Sequence, residues 1–188
     1  PSQYAGGFCG SSMIPEPYHV PGPNVTPDPN VEITDCYSVS NISAPFCNGT
    51  LGGFCGLVRT GKVDNCYFAG SIDAAPDFQY LKGFCGILAA GEINNSFWNT
   101  QTTGLLEGYH LSSSNPGIAN NLQGKTTAEL MRMQTFTDAG WDFVNTWGIG
   151  EGQTYPYLRE YSAADLDMNH IINFDDFAIF ANNWLVGN

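Results

Sequence analysis

The sequence predicts an all-β protein, a right-handed parallel β-solenoid of about three coils, and two repeated words support that prediction. The word GGFCG at residues 6–10 returns at 52–56 and again as KGFCG at 82–86. The words ITDCYS, VDNCYF and INNSFW begin at Ile33, Val63 and Ile93 and are therefore 30 residues apart. Short words at a fixed interval are typical of stacked units, each pairing with the one below at about 4.8 Å.

Stacking at this period places like residues above one another. A corner is needed near Asp35, Asn65 and Asn95, because strict strand alternation cannot send both Val63 and Cys66 inward. Asn and Asp suit such corners. The predicted columns are Phe8, Phe54 and Phe84; Cys9, Cys55 and Cys85; Ile33, Val63 and Ile93; and Cys36, Cys66 and Ser96.

A proline-rich insert at residues 11–30 interrupts the first unit. Phe8 and Phe54 are 46 residues apart, 16 more than the period, and six of the eleven prolines fall between Pro15 and Pro29. Proline lacks the amide hydrogen that a strand ladder needs. We therefore expect the insert to leave the repeat, either as a plain surface loop or as a binding loop.

Composition narrows the class of protein. Six Lys and Arg against eighteen Asp and Glu give a net charge of -12, which argues against nucleic-acid binding and favours cation binding. No run of 18 apolar residues appears, so a membrane-spanning helix is not expected. Because the chain begins within a repeat and shows no signal peptide, we expect a processed or excised piece of a longer secreted precursor.

The six cysteines are candidates for disulfides in a secreted chain. They allow 15 connectivities, and pairing within one column or within one coil, such as Cys55 with Cys66, is equally compatible with the period. Buried free thiols are the alternative, whereas the absence of CxxC or Cys/His clusters disfavours metal or redox chemistry. The candidates are Cys9, Cys36, Cys47, Cys55, Cys66 and Cys85.

The pattern GGFCG followed by GKVDNCYFAGSI resembles the GLUG-motif repeat of bacterial cell-surface and adhesin-like proteins. The segment from SFWNTQTTG to TYPYL resembles the part that closes such arrays, so the resemblance covers residues 4–158. It implies a secreted, repetitive β-solenoid and does not imply an enzyme. Scattered histidines and the lack of GxSxG, HExxH or phosphate-binding motifs also argue against catalysis.

Residues 105–160 are predicted to close the solenoid formed by residues 1–104. A short helix beginning at Thr126 or Thr127 would cover the last coil. Five aromatic residues could form a sealing core or, if exposed in a row, a sugar-stacking platform. They are Trp141, Phe143, Trp147, Tyr155 and Tyr157.

The stretch DLDMNHIINFDD predicts a calcium site within a separate unit at residues 161–188. Its oxygen donors have the spacing of a calcium loop, with Ile171 contributing its carbonyl, and the loop followed by a helix resembles one unit of a type I dockerin. His170 replaces the usual glycine at position 6, so a vestigial empty loop is the alternative. The side-chain ligands predicted are Asp165, Asp167, Asn169, Asn173 and Asp176.

Two non-enzymatic functions remain: a structural subunit of an extracellular assembly, or an adhesin or carbohydrate-binding module that acts as a monomer. We expect head-to-tail filaments of identical copies, in which an open first coil receives Phe177, Phe180 and Trp184 of the next copy. Surface glycans are the second predicted partner. Sequons that hint at attached glycans lie at Asn24, Asn41, Asn48 and Asn94.

Removal of calcium is expected to loosen residues 161–188 and to leave the repeats intact, because neither disulfides nor strand ladders depend on the metal. Hydrogen exchange with and without a chelator measures both regions at once. Unfolding of the whole chain on chelation would contradict this separation.

Overall fold

The computed structural model describes residues 4–12, 31–45, 49–75, 79–159 and 174–186. The chain divides into two units, residues 1–130 and 131–188, and each is described by itself. The three-part division predicted from the sequence stays a prediction.

Unit 1 consists of short strands arranged in rows. The first row contains β1 (Tyr4–Gly6), β2 (Cys9–Ser12), β3 (Glu32–Thr34), β4 (Tyr37–Ser38) and β5 (Ile42–Ala44). The second contains β6 (Thr50–Gly52), β7 (Cys55–Val58), β8 (Lys62–Asp64), β9 (Tyr67–Phe68) and β10 (Ile72–Ala74). The third contains β11 (Tyr80–Lys82), β12 (Cys85–Leu88) and β13 (Glu92–Asn99), after which come α1 (Thr100–Thr103), β14 (Tyr109–Leu111), β15 (Ile118–Lys125) and α2 (Thr127–Leu130).

Every strand pair among the described residues of unit 1 is parallel and joins neighbouring rows. The sheet orders are β1-β6-β11, β5-β10, β2-β7-β12-β14, and a larger sheet in which β13 pairs with β8, β9 and β15. Ile33 pairs with Val63 and Val63 with Ile93, so the register follows the 30-residue period. The predicted columns of like residues are therefore confirmed for these strands.

Stacked side chains form the core of unit 1. The rings of Phe8 and Phe54 lie 4.7 Å apart and those of Phe54 and Phe84 lie 4.9 Å apart, nearly parallel in both cases. Val63 and Ile93 are fully buried beside them. A column of identical residues fills the same position in successive rows, because the in-register pairing repeats the same environment.

The glycine before the phenylalanine of each repeated word has a steric reason. A Cβ atom at Gly53 would lie 2.3 Å from the Phe68 ring, and one at Gly83 would lie 2.2 Å from the Trp98 ring. Each glycine therefore lets a large ring pack directly on the backbone of the repeated word. This contact accounts for the glycine that precedes the phenylalanine in these two words.

The predicted corners are present at the second word. Asp35, Asn65 and Asn95 have positive φ angles of 50°, 51° and 43°, in the left-handed region that Asn and Asp tolerate better than most residues. The side-chain amide of Asn65 donates to Asp35 Oδ1 at 3.5 Å, and that of Asn95 donates to Asp64 Oδ1 at 3.2 Å. Side chains at the corners thus connect the rows in addition to the strands.

The predicted fold class is wrong. In place of an all-β right-handed parallel β-solenoid, the described residues form four small parallel sheets, one antiparallel pair and four helices. The period identifies which strands pair, but it carries no information about the segments after Asn99. Those segments contain their own helix signals, which lie outside the repeated words.

Two of the helices begin at side-chain caps that local sequence explains. Asn99 caps α1, accepting hydrogen bonds from the backbone of Gln101 at 2.9 Å and Thr102 at 3.2 Å. Thr126 and Glu129 form a reciprocal capping box at the start of α2, with bonds of 2.8 and 3.2 Å to each other's backbone N–H groups. The helix predicted to begin at Thr126 or Thr127 is therefore present.

Unit 2 has an aromatic core of its own. It contains α3 (Met133–Thr137), the antiparallel strands β16 (Trp147–Gly148) and β17 (Tyr157–Leu158), and α4 (Phe174–Val186). Trp141 packs 4.6 Å from Trp147 and 4.7 Å from Phe136, measured between ring centroids, and all three rings are buried. Both tryptophans therefore act as core residues, whereas Tyr157 remains 48% exposed.

Replacement of Asn65 by alanine is expected to lower the free energy of unfolding by about 1 kcal/mol more than replacement by glycine. Both variants remove the amide bond to Asp35, but alanine alone carries a Cβ penalty at positive φ. Urea unfolding of the two variants isolates the backbone contribution. Equal stabilities would show that the corner conformation is not retained.

Candidate functional site

One column of cysteines carries a disulfide. Cys9 of β2, Cys55 of β7 and Cys85 of β12 are in register, and Cys9 is bonded to Cys55 with a Cα–Cα distance of 5.0 Å. Cys85 is a free, fully buried thiol that donates to the Ile87 carbonyl at 3.1 Å. Burial raises the pKa of Cys85 to about 12, so this thiol is unreactive at neutral pH.

A second pair of thiols meets at the corner of the other repeated word. Cys36 and Cys66 are free thiols in adjacent rows, and Cys66 Sγ donates to the Ile33 carbonyl of the first row at 3.6 Å. Cys36 Sγ also donates to the Thr34 carbonyl at 3.1 Å, and Cys66 Sγ donates to the Asp64 carbonyl at 3.2 Å. The two cysteines thus make equivalent backbone contacts in adjacent rows.

The pKa values of the two thiols shift in opposite directions, each for its own reason. The hydrogen bond from Cys66 lowers the pKa of Cys36 to about 7, against opposing effects of burial and of the neighbouring Asp35. Burial raises the pKa of Cys66, which is fully inaccessible to solvent. Cys36 is therefore the nucleophile of the pair and Cys66 is a protonated donor.

Serine occupies the same position in the third row. Ser96 Oγ accepts a hydrogen bond from the Cys66 backbone N–H at 3.1 Å and donates to the Asn94 carbonyl at 2.6 Å. The hydroxyl repeats the bond that each cysteine makes to the residue two before it. The column therefore contains two thiols rather than three.

The structure brings together four of the six disulfide candidates in two column pairs. The alternative pairing of Cys55 with Cys66 within one coil does not occur, because Cys55 is bonded to Cys9. Cys47 lies outside the described residues. Column position in the repeat is the sequence signal that identifies the pairs, although it does not tell which pair is oxidised.

The predicted calcium loop falls almost entirely outside the described residues, so the calcium site stays a prediction. Only Asp176 is described, and it is 3% exposed in the first turn of α4. Within the described ranges, no group of three His, Cys, Asp or Glu side chains is placed to hold a metal ion. The predicted ligands that are not described are Asp165, Asp167, Asn169, Ile171 and Asn173.

The sequons lie in different settings. Asn41 is exposed, and its side-chain oxygen accepts from the Ser71 hydroxyl at 2.9 Å. Asn94 lies within β13, where strands pair on both sides, and accepts from the Asn120 amide at 3.0 Å. Asn24 and Asn48 are outside the described residues. A sequence motif of three residues does not reveal that Asn94 is enclosed between strands.

The first row of strands forms one margin of unit 1, which we call the open edge (β1 to β5). In the described part of the chain, each of these strands pairs on one side only. Phe8 is 45% exposed here, although Phe54 and Phe84 in the same column are fully buried. The phenylalanine column of the core is therefore partly exposed to solvent at this edge.

The predicted interface residues lie on α4. Phe177 and Phe180 are 63% and 50% exposed, and their rings lie 6.4 Å apart. The side chain of Trp184 is outside the described part of the structure. Among the helices that the structure describes, none is long and apolar enough to cross a membrane.

Comparison of the chain with protein-family models, with curated proteins and with solved structures finds no match. The resemblances to the GLUG repeat and to a dockerin loop therefore stay predictions. The geometry described above has to support any functional proposal directly.

Alkylation of Cys36 by iodoacetamide is expected to accelerate as the pH rises from 5.5 and to reach half its maximum rate near pH 7. The reason is that the thiolate is the reactive form and is populated above the pKa. Cys85 is expected to remain unlabelled, which gives an internal control. Mass spectrometry of tryptic peptides measures both rates, and a midpoint for Cys36 near 9 would contradict the proposed thiol pair.

Proposed function

We propose that this chain is a non-enzymatic structural protein that forms part of a secreted, extracellular or cell-surface assembly in bacteria. The observation that carries this proposal is the open edge, where parallel strands and a core aromatic column end in solvent. Unpaired strand edges are templates for association with another chain.

The disulfide between Cys9 and Cys55 supports an extracytoplasmic setting. It ties β2 of the open edge to β7 of the next row. Disulfides persist mainly in oxidising compartments, including secreted and cell-surface proteins. A covalent bond at this position would hold the first row in place outside the cell.

The contacts of unit 2 favour a structural role over a monomeric carbohydrate-binding module. A sugar-stacking platform needs exposed rings in a row, but Trp141 and Trp147 are 3% and 0% exposed. Their surfaces are used in contacts with each other and with Phe136. Among the five aromatic residues considered for such a platform, Tyr157 is the most exposed.

The partner proposed for the open edge is the C-terminal region of a second copy. Phe177 and Phe180 expose rings on α4, whereas the open edge exposes Phe8 and Tyr4. The two surfaces are different, so contact between them is heterologous and extends into a filament unless it closes into a ring. Aromatic residues supply large apolar area to such contacts.

Replacement of Phe8 by lysine is expected to weaken self-association by about 2 kcal/mol, or roughly thirty-fold in Kd, because an apolar ring is lost and a charge is placed on the edge. Sedimentation velocity over a concentration series measures this change. The matched control is Leu106→Lys, since Leu106 is 85% exposed and lies away from the edge strands.

Phe177→Lys tests the α4 surface, which is the proposed partner of the open edge, in the same assay. Equal weakening by Phe8→Lys and Phe177→Lys supports the head-to-tail contact, whereas weakening by Phe8→Lys alone assigns the edge a different partner surface. A wild-type protein that is monomeric at every concentration would overturn the proposal and favour the adhesin alternative.

A further inference from the structure

Backbone pairing places Cys36 directly over Cys66. The Asp35 N–H donates to the Asp64 carbonyl at 3.2 Å, and the Tyr67 N–H donates to the Cys36 carbonyl at 3.2 Å. The strands on both sides are in register, with Thr34 opposite Asp64 and Tyr37 opposite Tyr67. Backbone pairing before and after the two cysteines therefore holds them one strand spacing apart, about 4.8 Å.

The same molecule shows that this arrangement accommodates a disulfide. Cys9 and Cys55 are also in register in adjacent rows, and they are bonded at a Cα–Cα distance of 5.0 Å. This separation lies within the range that disulfides require, about 4.4 to 6.8 Å. Cys66 Sγ donates to the Ile33 carbonyl at 3.6 Å, so this sulfur lies toward the row that contains Cys36.

We propose that Cys36 and Cys66 are an oxidative modification site, which a low-molecular-weight disulfide such as oxidised glutathione converts into a second disulfide between rows. The inference does not depend on the proposed function, because it concerns two groups within one chain. It adds a covalent bond between the row that contains the open edge and the row beneath it.

The reaction proceeds by two exchanges. The Cys36 thiolate attacks one sulfur of oxidised glutathione, forming a mixed disulfide and releasing a glutathione thiolate, which takes up a proton. Cys66 then loses its proton and attacks the Cys36 sulfur, and the second glutathione leaves as a thiol. Two protein thiols are oxidised to one disulfide while one glutathione disulfide is reduced to two thiols.

The structure assigns the order of these steps. Cys36 lies in the first row and is partly exposed, so an oxidant in solution reaches it, whereas Cys66 is fully buried beneath it. Cys36 is also the more acidic of the two thiols, so it is the one that forms the attacking thiolate. Cys85 lacks such a partner, since its column neighbour Cys55 is bonded to Cys9.

Trypsin separates the possible products. Cleavage after Arg59, Lys62, Lys82 and Lys125 places Cys66 alone in peptide 63–82 and Cys85 alone in peptide 83–125. The remaining four cysteines, including both members of the Cys9–Cys55 bond, lie in peptide 1–59. A bond between Cys36 and Cys66 is therefore the expected cause of a linked species containing peptides 1–59 and 63–82.

The experiment treats the purified full chain with oxidised glutathione, blocks free thiols with N-ethylmaleimide, and maps peptides without reduction. We expect peptide 63–82 to move into the linked species and the free thiol count to fall by two per chain. Cys36→Ser should abolish the link, and the matched variant Cys47→Ser should retain it.

Three outcomes would overturn the inference. They are a link that survives Cys36→Ser, a link between peptide 83–125 and peptide 1–59 in place of the expected one, and a disulfide-linked dimer on a non-reducing gel with no link within the chain. Circular dichroism of both serine variants checks that each retains the wild-type fold. A folded Cys36→Ser variant with no link, beside a linked Cys47→Ser variant, supports the assignment.

Discussion

In-register pairing between parallel rows is the constraint on which the rest of unit 1 depends. Because Ile33, Val63 and Ile93 occupy equivalent positions, the neighbouring residues of these strands also lie over their counterparts. Backbone hydrogen bonds hold the rows at one spacing, and that spacing suits stacked aromatic rings. Each side chain therefore packs against the residue at the same position in the next row. Where the residue type differs between rows, as for Cys66 and Ser96, both side chains still donate a hydrogen bond to the carbonyl two residues earlier.

Position within a column decides the chemistry of a cysteine. Cys85 and Cys36 make similar bonds to backbone carbonyls two residues away, yet the first is fully buried and the second is near the open edge. Burial raises the pKa of the Cys85 thiol, whereas the thiol of Cys66 beneath Cys36 lowers the pKa of Cys36. The same repeat thus produces an inert thiol, an existing disulfide and a reactive pair.

Polar side chains at the corners extend the pairing beyond the strands. Asn65 bonds to Asp35 in the row before it, and Asn121 bonds to Asn95 at 3.1 Å. These residues have positive φ angles, so one side chain both permits the turn and connects the rows. The corners therefore join strands of one sheet, since β3, β4, β8, β9 and β13 all belong to the same six-stranded sheet.

The sequence by itself determined which residues pair, because the words that begin at Ile33, Val63 and Ile93 recur every 30 residues and define the register of the parallel rows. It also determined the corners and the start of α2, since Asn, Asp and the Thr126–Glu129 capping box act through local contacts. The tertiary structure alone decided that Cys9 is bonded to Cys55 while Cys66 faces Cys36, and that Trp147 is buried while Phe8 is exposed. The physical reason is that exposure and sulfur proximity depend on where the stack ends and on what covers it, and neither is contained in the period.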